Sequence, residues 1–270
     1  MDDRERTPDR EFGIRYRAAL WPWLSDAASG SRIQCIELDA ADAVRGGHAW
    51  LRTLADRFAI TLFDLTLSLV GHSAMPADQC NGVATLAGVA RPRRISTPLG
   101  FTTTGGRPSP LPLPTSLDTD ALERAVDRAH RLSALAGAVP LVRNIASPLR
   151  IVGGLRDTDW LNRFCDGAHG GVAVDVAALD VEARCHGFDA AAWLRELDPR
   201  HVLEIHAGGG NGDEDVWLGR RRLPPGPDVL TLTQAAMAHA PCASVILQCT
   251  AGEPPLGAML DTLDELRQRH

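Results

Sequence analysis

The sequence predicts one (β/α)8 barrel, a TIM barrel, spanning residues 12–270 as a single domain. Three observations predict it. At 270 residues the chain has an ordinary length for one such barrel. Eight short β-rich runs recur along it. Amphipathic segments of helical length lie between them, as βαβ units require.

The runs are Phe12–Tyr16, Ile33–Leu38, Ile60–Leu65, Arg94–Thr97, Val139–Arg143, Gly171–Val176, His201–His206 and Ser244–Gln248. Several are almost continuously apolar, which suits parallel strands covered on both faces. Of the helical segments, Thr119–Leu135 has the clearest period: Leu122, Ala125, Val126, Ala129 and Leu132 share a face, and Asp118 and Asp120 favour its N-terminus. Asp157 is placed to cap a helix carrying Trp160, Leu161 and Phe164. Asp189 is placed to start one carrying Ala192, Trp193 and Leu197, with Pro199 just beyond. Thr231–Ala240 and Leu256–Arg267 complete the helical pattern.

Two long stretches, Gly100–Thr115 and Ala207–Pro227, read as irregular. Both follow strands, so both belong on the barrel face where active sites form, and loops of that length are usually functional. The charged stretch 1–11 reads as a disordered lead and not as a secretory signal. There is no internal repeat or interdomain linker.

Composition narrows the function. Apolar residues make up 44% of the chain, enough for a large core. The formal net charge is -6 and arginine is dispersed, which argues against a nucleic-acid partner. No apolar run approaches the ~20 residues that span a bilayer, so no membrane partner is expected. The six cysteines form no CxxC pair and read as reduced, mostly buried thiols, consistent with a cytoplasmic location.

Residues 172–208 carry a resemblance. Val174-Asp175-Val176-Ala177-Ala178, then His186-Gly187-Phe188-Asp189, then Ile205-His206-Ala207-Gly208 follow the order of a known pattern. Weaker echoes are collinear with it: Gly13-Ile14-Arg15-Tyr16, Ile36-Glu37-Leu38, Leu67-Ser68-Leu69, Ser96 with Leu99, Leu111–Pro114, Asn144 with Ser147, and Val216-Trp217. Together they resemble the multinuclear non-haem iron-dependent oxidases, the family of the iron subunit that makes methanobactin and of enzymes oxidising cysteine and other residues in peptides. The resemblance implies a xylose-isomerase-like barrel, clustered iron, a peptide substrate and a small partner protein that presents it.

Clustered iron needs imidazoles and carboxylates converging from several strand ends, with a coordination position left open. By resemblance, histidines are expected where this chain has Phe63 and Pro98, and glutamates where it has Arg143 and Gln248. Asp175 and His206 are retained, whereas the asparagine after Asp175 becomes Ala177 or Ala178. The second histidine after His206 falls in Gly209-Gly210-Asn211, and an Asp-x-His becomes Asp213-Glu214-Asp215. Phe and Pro offer no side-chain donor, and a guanidinium repels a cation. Arg143 is instead expected to pair with Asp175 or Glu37 across the barrel mouth, in the volume that metal would fill.

The cleft candidates are therefore Glu37, Asp64, Arg143, Asn144 and Gln248, with Asp175 and His206 as remnant metal ligands. The leading expectation is a degenerate barrel without a cofactor, a pseudoenzyme that binds a precursor peptide or small partner protein in ribosomal-peptide modification. Iron enters only if the remnants hold it. The rivals are a rewired oxidase using Asp175, His206, Glu37 and Asp64 or Asp213, and a metal-free enzyme whose Arg143 grips an anionic substrate.

Milder readings accompany the remaining motifs. His72 and His186 read as local loop hydrogen-bonders, His186 ordering its own turn. Cys185 has no cation clearly placed to activate it. The run 207–212 reads as a flexible turn over a phosphate cradle, and Arg220–Arg222 as a solvated charge run. Trp21 and Trp23 read as packing on the barrel rim.

Overall fold

The computed structural model describes residues 10–26, 30–104, 107–151, 154–210, 212–250 and 256–268. Eight parallel strands close a barrel in the order β1 (Phe12–Arg15), β2 (Cys35–Asp39), β3 (Ala59–Phe63), β4 (Arg94–Pro98), β7 (Val139–Arg143), β8 (Gly171–Asp175), β9 (Val202–Ala207) and β10 (Ser244–Leu247), which returns to β1. The numbers missing from that circle belong to an antiparallel hairpin, β5 (Phe101–Thr104) and β6 (Arg107–Leu113), standing after β4. Part of the stretch read as irregular, 100–115, is therefore ordered; its proline-rich composition hid a strand.

Among the described residues ten α-helices accompany the barrel: α1 (Trp21–Ser25), α2 (Ala40–Ala55), α3 (Ala77–Ala90), α4 (Thr119–Ala136), α5 (Asp157–Ala168), α6 (Val176–His186), α7 (Ala190–Glu196), α8 (Asp213–Trp217), α9 (Pro227–His239) and α10 (Leu256–Gln268). The expected helix at 119–135 forms nearly as written, with Asp118 accepting from the Ala121 N–H at 2.7 Å. Asp157 does not cap α5; it lies inside the first turn, where its charge favours the helix dipole. Asp189 caps α7 as expected, accepting from Ala191 and Ala192, but Leu197 falls just past the helix end. The helix expected from Thr231 begins at Pro227, because proline suits a first turn that needs no N–H.

Helix-facing strand residues pack into one core, in which Trp160 and Phe164 are fully buried and stacked 5.6 Å apart. Trp21 packs edge-on to Trp50 at 6.0 Å, and Trp23 is half-buried against the same core, the rim role expected of both. Cys35, Cys165 and Cys249 are buried, whereas Cys185 and Cys242 are exposed, Cys242 where the chain turns from α9 towards β10.

Most of the expected N-terminal lead, residues 1–9, lies outside the described residues. Its last two positions are anchored, a correction to that reading. Arg10 is buried and donates to the carbonyls of Met237 (2.7 Å), Ala240 and Ala243, satisfying the C-terminal end of α9. Glu11 accepts from the Val245 N–H through its carbonyl at 2.9 Å.

Candidate functional site

The C-terminal strand ends converge on a mouth filled by side-chain ion pairs. Glu37 on β2 is fully buried and sits at its centre. Its two oxygens accept from Arg143 of β7 at 2.8 Å and from Arg15 of β1 at 2.9 Å. The Arg143 guanidinium stacks on the Phe63 ring, 3.9 Å from its centroid, and the Arg15 guanidinium lies 4.7 Å from the same centroid. Arg15 also reaches Asp39 at 3.2 Å. Burial pushes the Glu37 carboxyl up, but the Arg15 and Arg143 guanidiniums, with the Gln248 hydrogen bond, outweigh it and hold the pKa at about 2. Burial also lowers Arg143, and Glu37 opposes that shift.

His206 lies beneath this brace, fully buried. Its Nε2 is 2.8 Å from Glu204, and a carboxylate only accepts, so Nε2 carries the proton. Nδ1 is then the acceptor, facing Gln248 Nε2 at 2.7 Å and Arg143 at 3.4 Å. Gln248 also donates to Glu37 at 3.2 Å. Glu204 is held further by Thr61 and by Arg94, the latter at 3.2 Å. Burial raises the Glu204 carboxyl, and its bond with His206, Arg94 and Thr61 bring it below its ordinary value.

A second pair flanks the first. Asp175, next to His206 in the β8–β9 register, accepts from Arg221 at 2.8 Å. Its other oxygen caps α6 through the Ala178 N–H at 3.0 Å. Asn144 clamps the Asp175 backbone, accepting from its N–H at 2.7 Å and donating to its carbonyl at 3.0 Å. Burial raises the Asp175 carboxyl, but Arg221 and Arg143 carry it below its usual range. Gly208 makes room for Arg221: a Cβ there would lie 2.7 Å from the Gln248 carbonyl and 3.2 Å from the Arg221 side chain.

The expected pairing of Arg143 across the mouth is present, and Glu37 rather than Asp175 is the partner. Glu37, Arg143, Asn144, Gln248, Asp175 and His206 come together, while Asp64 does not join them. Asp64 instead accepts from the Thr66 N–H and hydroxyl at 2.7 and 2.6 Å, closing a local turn after β3. We expect Asp64→Ala to cost only about 1 kcal/mol by denaturant unfolding, the worth of a local turn bond.

The reading of Arg220–Arg222 as a solvated run fails at its middle residue, because Arg221 is buried. Sequence reasoning also missed Arg15 and Glu204. The signal for Glu204 was available: in Val202–Ala207 a period of two places Glu204 and His206 on one face. Arg15 ends β1 opposite Glu37, a pairing that needs the strand register to be seen. His186 reaches beyond its own turn to the Ser147 carbonyl, at 2.9 Å, and Gly187 ends α6 in the left-handed region at φ 72°. Within 207–212 the described residues are not all flexible: Gly209 pairs with Leu223. Asn211 lies outside the described residues.

Clustered iron needs donor groups free to turn towards it, and in this mouth they are held by the protein's own cations and N–H groups. Both Glu37 oxygens face guanidiniums, both His206 nitrogens are engaged, and both Asp175 oxygens accept hydrogen bonds. Phe63 and Pro98 line the same mouth without a donor. Among the described residues no group of three or more His, Cys, Asp or Glu is arranged for a metal. The residues present do not fit a multinuclear iron centre.

Fold and site thus define a xylose-isomerase-like TIM barrel whose mouth is occupied by its own ion pairs. Solved structures with this shape include the 3-keto-D-glucoside 4-epimerase YcjR of E. coli, with a TM-score of 0.62 and 13% identity over 96% of this chain and all of that one. A xylose isomerase domain-containing protein of Salmonella typhimurium has a TM-score of 0.60 and 15% identity, covering 98% of this chain and 97% of that one. At such identities the likeness establishes the fold alone. The family is established by sequence: the chain belongs to the RiPP precursor modification enzymes of the MbnB/TglH/ChrH type, whose pattern matches residues 11–270. Relatives include a UPF0276 protein of Rhizorhabdus wittichii, 24% identical over 95% of this chain and 93% of its own length. Another, from Bordetella bronchiseptica, is 29% identical over 83% of this chain and 80% of its own length. No helix among the described residues is long and apolar enough to cross a membrane.

Proposed function

We propose that this chain is a metal-independent member of its family, a pseudoenzyme that binds a ribosomally made precursor peptide and does not itself perform iron-dependent oxidation. One observation carries the reading: the Arg15–Glu37–Arg143 brace over Phe63 fills the strand-end volume with fixed positive charge. Iron would have to displace two guanidiniums from a buried carboxylate, leaving Arg143 without its carboxylate beside a second cation. Family membership supports a peptide as the bound partner. The alternative in which Arg143 grips an anionic substrate has less support, because Glu37 already neutralises that guanidinium.

Elemental analysis of protein purified anaerobically under reducing conditions tests the proposal. The expected result is iron far below stoichiometric, unchanged by Asp175→Ala or His206→Ala. Near-stoichiometric iron that either substitution removes would overturn it.

A further inference from the structure

A cavity beside the barrel exceeds the ion-filled mouth in volume. The mouth encloses about 180 Å³, whereas a groove outside the strand ring encloses about 420 Å³, within the ordinary range of ligand sites. The loop after β7, the first turn of α5, the last turns of α6 and the start of α7 form its walls. Leu117, Ile145, Leu149, Ile151, Leu155 and Trp193 supply the apolar surface. Leu149 is 64% exposed and Ile151 45%, an apolar lip left open to solvent. The Ser147 hydroxyl accepts from the Leu149 N–H at 3.1 Å and the Ser147 carbonyl contacts His186 at 2.9 Å, so the lip is held in place.

The groove is elongated and has direction. At its inner end it shares Asn144 and Ile145 with the barrel mouth. Towards its outer end it shares Arg150, Arg156, Asp157, Phe188 and Trp193 with a shallower extension along α7. A track running from the surface to the strand ends suits an extended chain better than a compact ligand. Glu182 lies on its wall without a hydrogen bond or ion pair among the described residues. A peptide backbone is unable to satisfy all its polar groups against apolar walls, and a carboxyl on the wall answers that need.

We propose that this groove seats an extended apolar stretch of the precursor peptide, with the Glu182 carboxyl hydrogen-bonding its backbone and the peptide continuing past Asn144 to the barrel mouth. The inference rests on the peptide-binding reading above and adds the place and the chemistry of recognition. Burial first, then Asp157, push the Glu182 carboxyl up to about 8 against the pull of Arg150. At neutral pH it is mostly uncharged, able both to donate and to accept. The other charged or titratable groups facing the groove are Arg156 on the loop and His186 on the same helix as Glu182, with Asp189 and Glu196 at the outer extension. Binding is therefore strongest below pH 8 and weakens as Glu182 ionises, approaching tenfold per pH unit when one proton is required.

The test uses the full chain with labelled Leu and Ile methyls, titrated by NMR with the capped peptide acetyl-Leu-Phe-Leu-amide and with acetyl-Leu-Glu-Leu-amide. The apolar probe is expected to shift the methyls of Leu149, Ile151 and Leu155, and the acidic probe to bind at least about tenfold more weakly. Glu182→Gln should keep the neutral-pH affinity and abolish its fall above pH 8. Ile151→Glu, at the exposed lip, should abolish binding without lowering the melting temperature. No shifts, shifts confined to Leu65 and Leu111 at the mouth, or an unchanged pH profile in Glu182→Gln would overturn the inference. Iron analysis is a separate readout: stoichiometric iron with intact groove binding defeats only the metal-independent reading, and iron-free protein with an inert groove defeats only this one.

Discussion

Glu37→Ala is expected to destabilise the protein by about 3–5 kcal/mol, because it leaves a buried guanidinium uncompensated. Arg143 bears the loss. Arg15 still has Asp39 at 3.2 Å, while Arg143 keeps only the Phe63 face and a long contact with His206. In a domain of this size the loss lowers the melting temperature by roughly 10 °C. Adding Arg143→Met should recover much of it, since an apolar replacement removes the orphaned cation. A double-mutant cycle of Glu37→Ala and Arg143→Met reads the coupling directly, and simple additivity would contradict the brace.

Acid titration of stability is expected to report the same carboxyl. Glu37 moves from an ordinary 4.5 to about 2 in the folded protein, so the folded state binds its proton more weakly than the unfolded chain does. Its contribution, about 3 kcal/mol, is complete above pH 4.5 and is lost as pH falls from there towards 2. In Glu37→Gln this part of the acid limb should flatten.

Asp175→Ala is expected to cost a similar amount, about 3–5 kcal/mol, for a related reason and one more. It strands Arg221, which is buried and whose Nε already lacks a partner. It also removes the cap of α6, worth about 1 kcal/mol. Limited proteolysis adds a local readout, because Arg221 holds the segment after α8 to β8, and cleavage between 218 and 226 should rise. Arg220→Ala, on an exposed neighbour whose ion pair with Asp215 is 3.8 Å long, should change stability by no more than about 0.5 kcal/mol. Equal losses from Arg220→Ala and Arg221→Ala would refute the buried pair.

Both variants perturb a mouth held together by the protein's own charges. Phe63, Pro98, Arg143 and Gln248 all line this mouth. Phe63 becomes the platform for Arg143, and Gln248 bridges His206 and Glu37. Asp175 and His206 remain, now bonded to the protein itself.

The strand runs were legible because a parallel strand covered on both faces must be apolar along its length, and that pattern is local. Helix α6 is less legible, because β8 passes into it at its cap Asp175 with no loop residues between them. That Phe63 and Pro98 offer no side-chain donor and that Arg143 is cationic was equally legible, since side-chain chemistry is written in residue type. What the sequence alone determined is the barrel and its kinship. The tertiary structure decided that Glu37 rather than Asp175 takes Arg143, that Arg15 and Arg221 enter the mouth while Arg220 stays outside, and that Glu182 faces a groove. Those outcomes depend on strand register and barrel closure, which bring residues more than a hundred positions apart within 3 Å, a distance no local pattern encodes.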